Sequence, residues 1–141
     1  MDRVKFPVSN HLFLLRDDEI LLYLRKWWVQ EKMYNVIAGH LDGGETATQA
    51  IIREAYEEAG IIISPEDLKF ACVSHSFAGD KEYVQFFMFC VRRTWEIKNL
   101  EPERCYEMRF FPLTQLPENT TPYVQKAIQC FLDKIYYYEY R

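Results

Sequence analysis

Three glutamates, Glu54, Glu57 and Glu58, stand three and four positions apart in a stretch whose apolar residues recur at helical spacing. At about 100° per residue they share one narrow sector of a helix surface. Ile52, Ala55 and Ala59 fall in a different sector, so the helix can bury an apolar side while its acids face outward. Like charges at this spacing repel by a few tenths of a kcal/mol per pair, and a helix selected for stability alone would alternate the signs. A cation is expected at this face. Carboxylate oxygens are hard ligands, and a few glutamates joined by a loop carbonyl suit Mg²⁺, which keeps several waters and is completed by substrate phosphates. Taken alone, the three residues also fit a solvated acidic helix.

Several elements must hold these acids in place. The segment Gly39-His40-Leu41-Asp42-Gly43-Gly44 has three glycines in six residues, which suits a loop that lets backbone approach a ligand closely. From Glu45 to Ala59 the spacing predicts a helix, with Ile52, Ala55, Tyr56 and Ala59 on its apolar side and Gly60 as a left-handed cap. His11 to Leu15 and Ile20 to Arg25 read as a hairpin closed by Arg16-Asp17-Asp18-Glu19, and Met33 to Ala38 as a third strand. Ile61 to Ile63, Leu68 to Phe77, Tyr83 to Arg93 and Cys105 to Phe111 are further strand candidates. A second helix is expected from Thr121-Pro122, with Val124, Ala127, Ile128, Phe131, Leu132 and Ile135 on its apolar face. Several connections are too short for parallel crossovers, so the expected architecture is α/β with a mixed β-sheet covered by helices.

Length and composition bound the function. At 141 residues, without repeats or a linker-like tract, residues 1–141 read as one domain. The 49% hydrophobic and 27% charged content is that of a globular protein. Seventeen Lys and Arg against 21 acids give a formal charge of -4, which argues against an extended nucleic-acid platform and implies that a polyanionic substrate needs a bridging metal. No apolar run approaches the ~18 residues of a bilayer span, and the N-terminal apolar segment is too short for a signal peptide. Together with four cysteines that form no CxxC pair, this suggests a cytoplasmic protein with reduced, buried thiols.

The spacing of the whole acidic segment is more specific. Gly39, five residues, Glu45, seven residues, then Arg53-Glu54-Ala55-Tyr56-Glu57-Glu58-Ala59-Gly60-Ile61 resembles the Nudix box, GX5EX7REUXEEXGU, over 23 residues. Ala55 departs from the bulky residue usual at its position, and Ile37-Ala38 replaces the Pro-Gly that commonly precedes the first glycine. Asn99-Leu100-Glu101-Pro102-Glu103-Arg104-Cys105 and Leu116-Pro117 are similar to segments of Nudix nucleoside triphosphate diphosphatases active on guanine and oxidised guanine nucleotides.

The resemblance implies a Nudix α/β/α sandwich and hydrolysis of a nucleoside diphosphate linked to another group, with Mg²⁺ or Mn²⁺ as cofactor. The expected substrate is a nucleoside triphosphate, oxidised and noncanonical purines included, cleaved to monophosphate and pyrophosphate. ADP-ribose or a nucleotide sugar is the alternative substrate, and a catalytically silent nucleotide sensor the alternative role. By the same resemblance, Glu57, Glu58 and the carbonyl of Ala38 are metal ligands, Glu54 is a ligand or the base for water, and Arg53 pairs with Glu45 as support. Glu101, Glu103 and Glu107 are candidates for a further acid. Tyr34, Asn35, Phe77, Tyr83 and Met108 are candidates for substrate binding, and Trp27 and Trp28 for the pocket rim or a subunit contact. A homodimer is expected from the resemblance and the aromatic tail Tyr136-Tyr137-Tyr138-Glu139-Tyr140.

Overall fold

Alternation along the first strand decides which layer each side chain joins. In the computed structural model, which describes residues 2–141, strand β1 runs Val8–Arg16. Phe13 and Leu15 point into one apolar cluster and Leu12 and Leu14 into another, because successive strand residues face opposite sides of a sheet. The first cluster is closed by helix α2 (Pro122–Leu132) through Val124, Ala127 and Ile128, the second by helix α1 (Ala47–Ala59) through Ile51, Ala55 and Ala59. A sheet apolar on both faces with a helix on each is the expected α/β/α sandwich. Complete burial of a residue such as Leu14 or Ile51 contributes roughly 1.5–3 kcal/mol.

The predicted hairpin forms, with β2 spanning Glu19–Arg25 and a two-residue turn in which Asp17 takes a φ of 53°. The third predicted strand divides in two. Tyr34–Asn35 (β3) pairs with β2, while Ile37–His40 (β4) pairs with β1, so β1 and β2 part company beyond their hairpin and a cleft opens between them. Lys69–Ala78 (β5) and Lys81–Val91 (β6) form a hairpin, and β6 runs parallel to β1. Cys105–Pro112 (β7) pairs with β2.

Two of the expected elements need correction. Ile61 to Ile63 is not a strand: Ile61 and Ile63 fill the core beneath α1 from an irregular segment while Ile62 stays 75% exposed. Ile135 lies past the end of α2 and is exposed, because the helix stops at Leu132 and Lys134 turns the chain with a φ of 58°. The aromatic tail forms strand β8 (Tyr137–Tyr140), parallel to β5 at the sheet edge, with Tyr138 packed into the α2 cluster. All four cysteines are buried and free. No described helix is long and apolar enough to cross a membrane.

Candidate active site

Helix α1 starts at Ala47, two residues later than expected, because Thr46 caps it. Its hydroxyl accepts from the Gln49 backbone N–H at 3.1 Å, and the Gln49 side chain accepts from the Thr46 N–H at 2.9 Å. Asn10, buried in β1, donates from its amide to the Ala47 carbonyl and fixes the helix start against the sheet. At the other end Gly60 adopts φ 68°, and its N–H goes to the Tyr56 carbonyl at 2.9 Å. Both ends of the acid-bearing helix are thus held.

Between these ends the acids occupy different environments. Arg53 makes a two-pronged bond to Glu45, with Nε to Oε2 at 3.0 Å and Nη2 to Oε1 at 2.9 Å. Its Nη1 reaches Glu54 Oε1 at 3.1 Å and Glu57 Oε2 at 3.2 Å. One guanidinium therefore gathers three carboxylates, and its bond to Glu45 holds that carboxyl below the ordinary range. Glu57 is half exposed. Glu54 is more enclosed, its carboxylate lying against Gly39, and burial raises its pKa.

Glu58 is the deepest of the three. Burial, then the nearby charges of Glu54 and Glu101, pushes its pKa up to about 9 despite a hydrogen bond from the Ala38 backbone. Its Oε2 is buried with no hydrogen-bond partner. Among the described residues no three acids, histidines or cysteines form a ready-made metal cage, because Arg53 draws Glu54 and Glu57 toward itself. Yet a buried carboxylate oxygen without a partner, with Glu54 and Glu101 nearby, is a donor set that a hard cation satisfies. The residues fit such an ion.

The segment joining β6 to β7 brings one more acid to the cleft. Lys98 N–H and Leu100 N–H bond to the Ala59 and Glu58 carbonyls at 3.0 and 3.2 Å, using carbonyls that the end of α1 leaves open. Asn99 then closes the following loop: Nδ2 donates to the Cys105 carbonyl at 2.8 Å and Oδ1 accepts from Glu101 N–H at 3.2 Å. Glu101 is thereby turned into the cleft, close enough to Glu58 to raise its pKa. Glu103 is exposed, and Glu107 instead accepts a hydrogen bond from the Tyr34 hydroxyl at 2.5 Å. Of the three candidate acids, only Glu101 lines the cleft.

The cleft has a volume of about 1090 Å³ and runs from Ala38, Gly39 and Glu58 across the open ends of β1 and β2. Tyr83 and Met108 line it as expected. Tyr34, Asn35 and Phe77 do not. Tyr34 is buried, its ring edge-on to Phe111 at 4.9 Å. Asn35 is 1% exposed and accepts from Thr121 Oγ1 at 2.9 Å and the Tyr123 hydroxyl at 3.0 Å, joining β3 to α2. Phe77 lies under the Arg141 guanidinium, 4.3 Å from its ring centre. Trp27 lines the rim, with Arg104 5.5 Å above its ring, whereas Trp28 is 82% exposed.

Ser9, His11, Tyr23, Arg25, Gln85 and Tyr123 also line the cleft and were not singled out from sequence. A signal for some of them was available. Ser9 and His11 interrupt the apolar side of β1 at alternate positions, and Gln85 is the one amide in the apolar run from Tyr83 to Val91.

Comparison with known proteins agrees with this geometry. The NUDIX domain family model matches residues 5–131. A MutT NUDIX hydrolase from Burkholderia pseudomallei is similar at 25% identity with a TM-score of 0.79, over 89% of this chain and 98% of that one. The NUDIX domain of Shewanella oneidensis NrtR, solved with ADP ribose, shares the fold at 14% identity and TM-score 0.72, over 96% and 90% of the two chains. A bifunctional NMN adenylyltransferase/ADP ribose pyrophosphatase from Francisella tularensis, solved with AMP and a manganese ion, matches at 21% identity and TM-score 0.71, over 93% of this chain and 42% of that one. The family model spans nearly the whole of the fold just described, and this chain belongs to the NUDIX domain family.

Proposed function

We propose that this chain is a divalent-metal-dependent nucleotide pyrophosphohydrolase. Its substrate is a nucleoside triphosphate, oxidised or otherwise noncanonical purines included, which it converts to monophosphate and pyrophosphate. The observation that carries the reading is the buried, unpartnered Oε2 of Glu58 in the wall of a cleft large enough for a nucleotide. Glu57, Glu58 and the Ala38 carbonyl would hold Mg²⁺ or Mn²⁺, with Glu54 beside them as a further ligand or as the base for water. When bound, the ion offsets charge on the phosphate oxygens and makes a bound water more acidic.

This chain's own groups do the rest. Water attacks an internal phosphorus, the anhydride P–O bond breaks, and a glutamate takes the water's proton. Glu54 is suited to accept it, because burial already favours its protonated form. Glu101 stands at the same end of the cleft as a further acid. Arg53 positions Glu54 and Glu57; none of these three lines the cleft, which Glu58 and Glu101 do. The four buried thiols suit the reducing cytoplasm proposed here.

The test is a panel of nucleoside triphosphates, ADP-ribose and nucleotide sugars assayed with Mg²⁺ and Mn²⁺, scored for pyrophosphate and orthophosphate separately. Pyrophosphate release from a triphosphate supports the reading; turnover of ADP-ribose alone replaces the substrate. Glu57→Gln is expected to lower turnover at least 100-fold with the fold intact, because Glu57 is half exposed. Undiminished activity in that variant removes its assigned role, and a blank panel favours a nucleotide sensor.

A further inference from the structure

The α2 side of the sheet carries a polar network that hydrophobic packing does not explain. β6 lies between β1 and β5, with Gln85 abreast of Ser9 on one side and opposite Ser74 on the other. Ser74 and Ser76 are fully buried, and Gln85 is 5% exposed. Gln85 Oε1 is 3.1 Å from Ser74 Oγ and 3.3 Å from Ser76 Oγ, and the two hydroxyls are 2.8 Å apart. Buried hydroxyls and amides are costly if left unpaired, so a sheet serving only as core would place apolar residues here.

The consequence is directional. With its oxygen held by the two hydroxyls, the Gln85 amide turns its –NH₂ toward the cleft that Gln85 lines. Ser9, abreast of it, and His11 carry no charge, whereas Arg25, Lys81 and Glu82 also line the cleft. His11 is fixed by Ser9 Oγ at 3.1 Å from Nε2 and by stacking on Phe87 with ring centres 4.5 Å apart. Burial holds His11 neutral. At this point of the wall what is offered to a ligand is a hydrogen-bond donor, that of Gln85.

We propose that Gln85, clamped by Ser74 and Ser76, is a specificity-determining residue whose amide N–H selects ligands with an acceptor, a carbonyl oxygen or bare ring nitrogen, on the base edge that faces β6. The inference rests on the nucleotide reading above for the kind of ligand, not for the direction of the donor.

The experiment compares wild type with Gln85→Met, Gln85→Glu and the double variant Ser74→Ala/Ser76→Ala. Each is assayed on triphosphates of adenine, guanine, cytosine, uracil and 8-oxoguanine. Each is also titrated calorimetrically with the corresponding monophosphates in the absence of divalent metal. Gln85→Met is expected to lower kcat/KM for the favoured base about 10- to 100-fold, mainly through KM, with a matching loss in monophosphate affinity and kcat nearly unchanged. Gln85→Glu keeps the shape and the serine contacts but presents an acceptor, so the ranking shifts toward bases with an exocyclic amino group at that edge. The double serine variant frees the amide to rotate and narrows the spread between bases. Should Gln85→Met fail to fold, the serine variant carries the same test.

Unchanged base ranking and unchanged monophosphate affinity in the folded variants would overturn the proposal, as would wild type that binds no monophosphate. Wild type that binds monophosphates with a Gln85-dependent ranking but hydrolyses none of the triphosphates would overturn the proposed activity and leave the Gln85 assignment standing.

Discussion

A methyl group added to Gly39 would sit 2.4 Å from Oε1 of Glu54, closer than any real carbon contact. The glycine opening the box is therefore needed for close approach: the carboxylate of α1 packs directly on the backbone of β4. Gly39→Ala is expected to displace Glu54, lowering turnover at least 10-fold, with little loss of stability because only the end of a flexible side chain must move. Kinetics alongside urea denaturation check both parts. Wild-type activity in that variant would show that Glu54 need not stay where it lies.

Glu58 should weaken the metal-free fold that it equips for function. Its folded pKa, about 9, lies above that of the unfolded chain, so the folded state binds more protons between these values and stability falls as pH rises through that window. At pH near 8 without divalent metal, Glu58→Gln is expected to raise Tm by a few degrees. The same variant should lose most of the stabilisation that Mg²⁺ or Mn²⁺ gives wild type. Thermal scans with and without metal decide it, and a lowered metal-free Tm counts against the buried, like-charged environment.

The opposite titration is expected at His11. Burial first, then the charge of His40, brings its pKa down to about 3 in the folded protein, against about 6.5 unfolded. Here the unfolded chain binds the extra proton. His11 therefore costs no stability above about pH 6.5, and destabilises progressively as pH falls toward 3, with a slope approaching ~1.4 kcal/mol per unit. His11→Gln should flatten that slope. Urea midpoints measured between pH 4 and 7 for both proteins would expose a wrong assignment as parallel curves.

Asn99 and Glu101 should behave as one unit. The Asn99 side chain bonds at both ends of the loop that turns Glu101 into the cleft. Glu101→Gln and Asn99→Ala are each expected to lower kcat/KM about 10-fold, and the double variant hardly more, because either change removes the same placed carboxylate. Fully multiplicative losses would mean that the loop closure and the acid act separately.

How much of this was legible beforehand follows from the range of each interaction. The acid sector of α1, its Gly60 stop and the Asp17-Asp18 turn depend on residues close in sequence, so local periodicity and spacing suffice, while the pairing of Arg53 with Glu45 came from the resemblance to the box. The NUDIX box is such a local pattern, and family membership follows from it. The cleft wall is another matter. Tyr34 and Asn35 are the right residue types for recognising a base, but Asn35 is claimed by Thr121 and Tyr123, more than eighty positions away, and Tyr34 by Glu107.

The tertiary structure alone decided which polar groups face the cavity, because that depends on where β1 and β2 part and which strand each half of the third segment joins. It also decided that Glu101, and neither Glu103 nor Glu107, stands beside Glu58, since the loop is positioned by bonds to the end of α1. Sequence determined the chemistry available along one helix. Pairing between distant segments, which no local period encodes, determined which groups can reach a ligand.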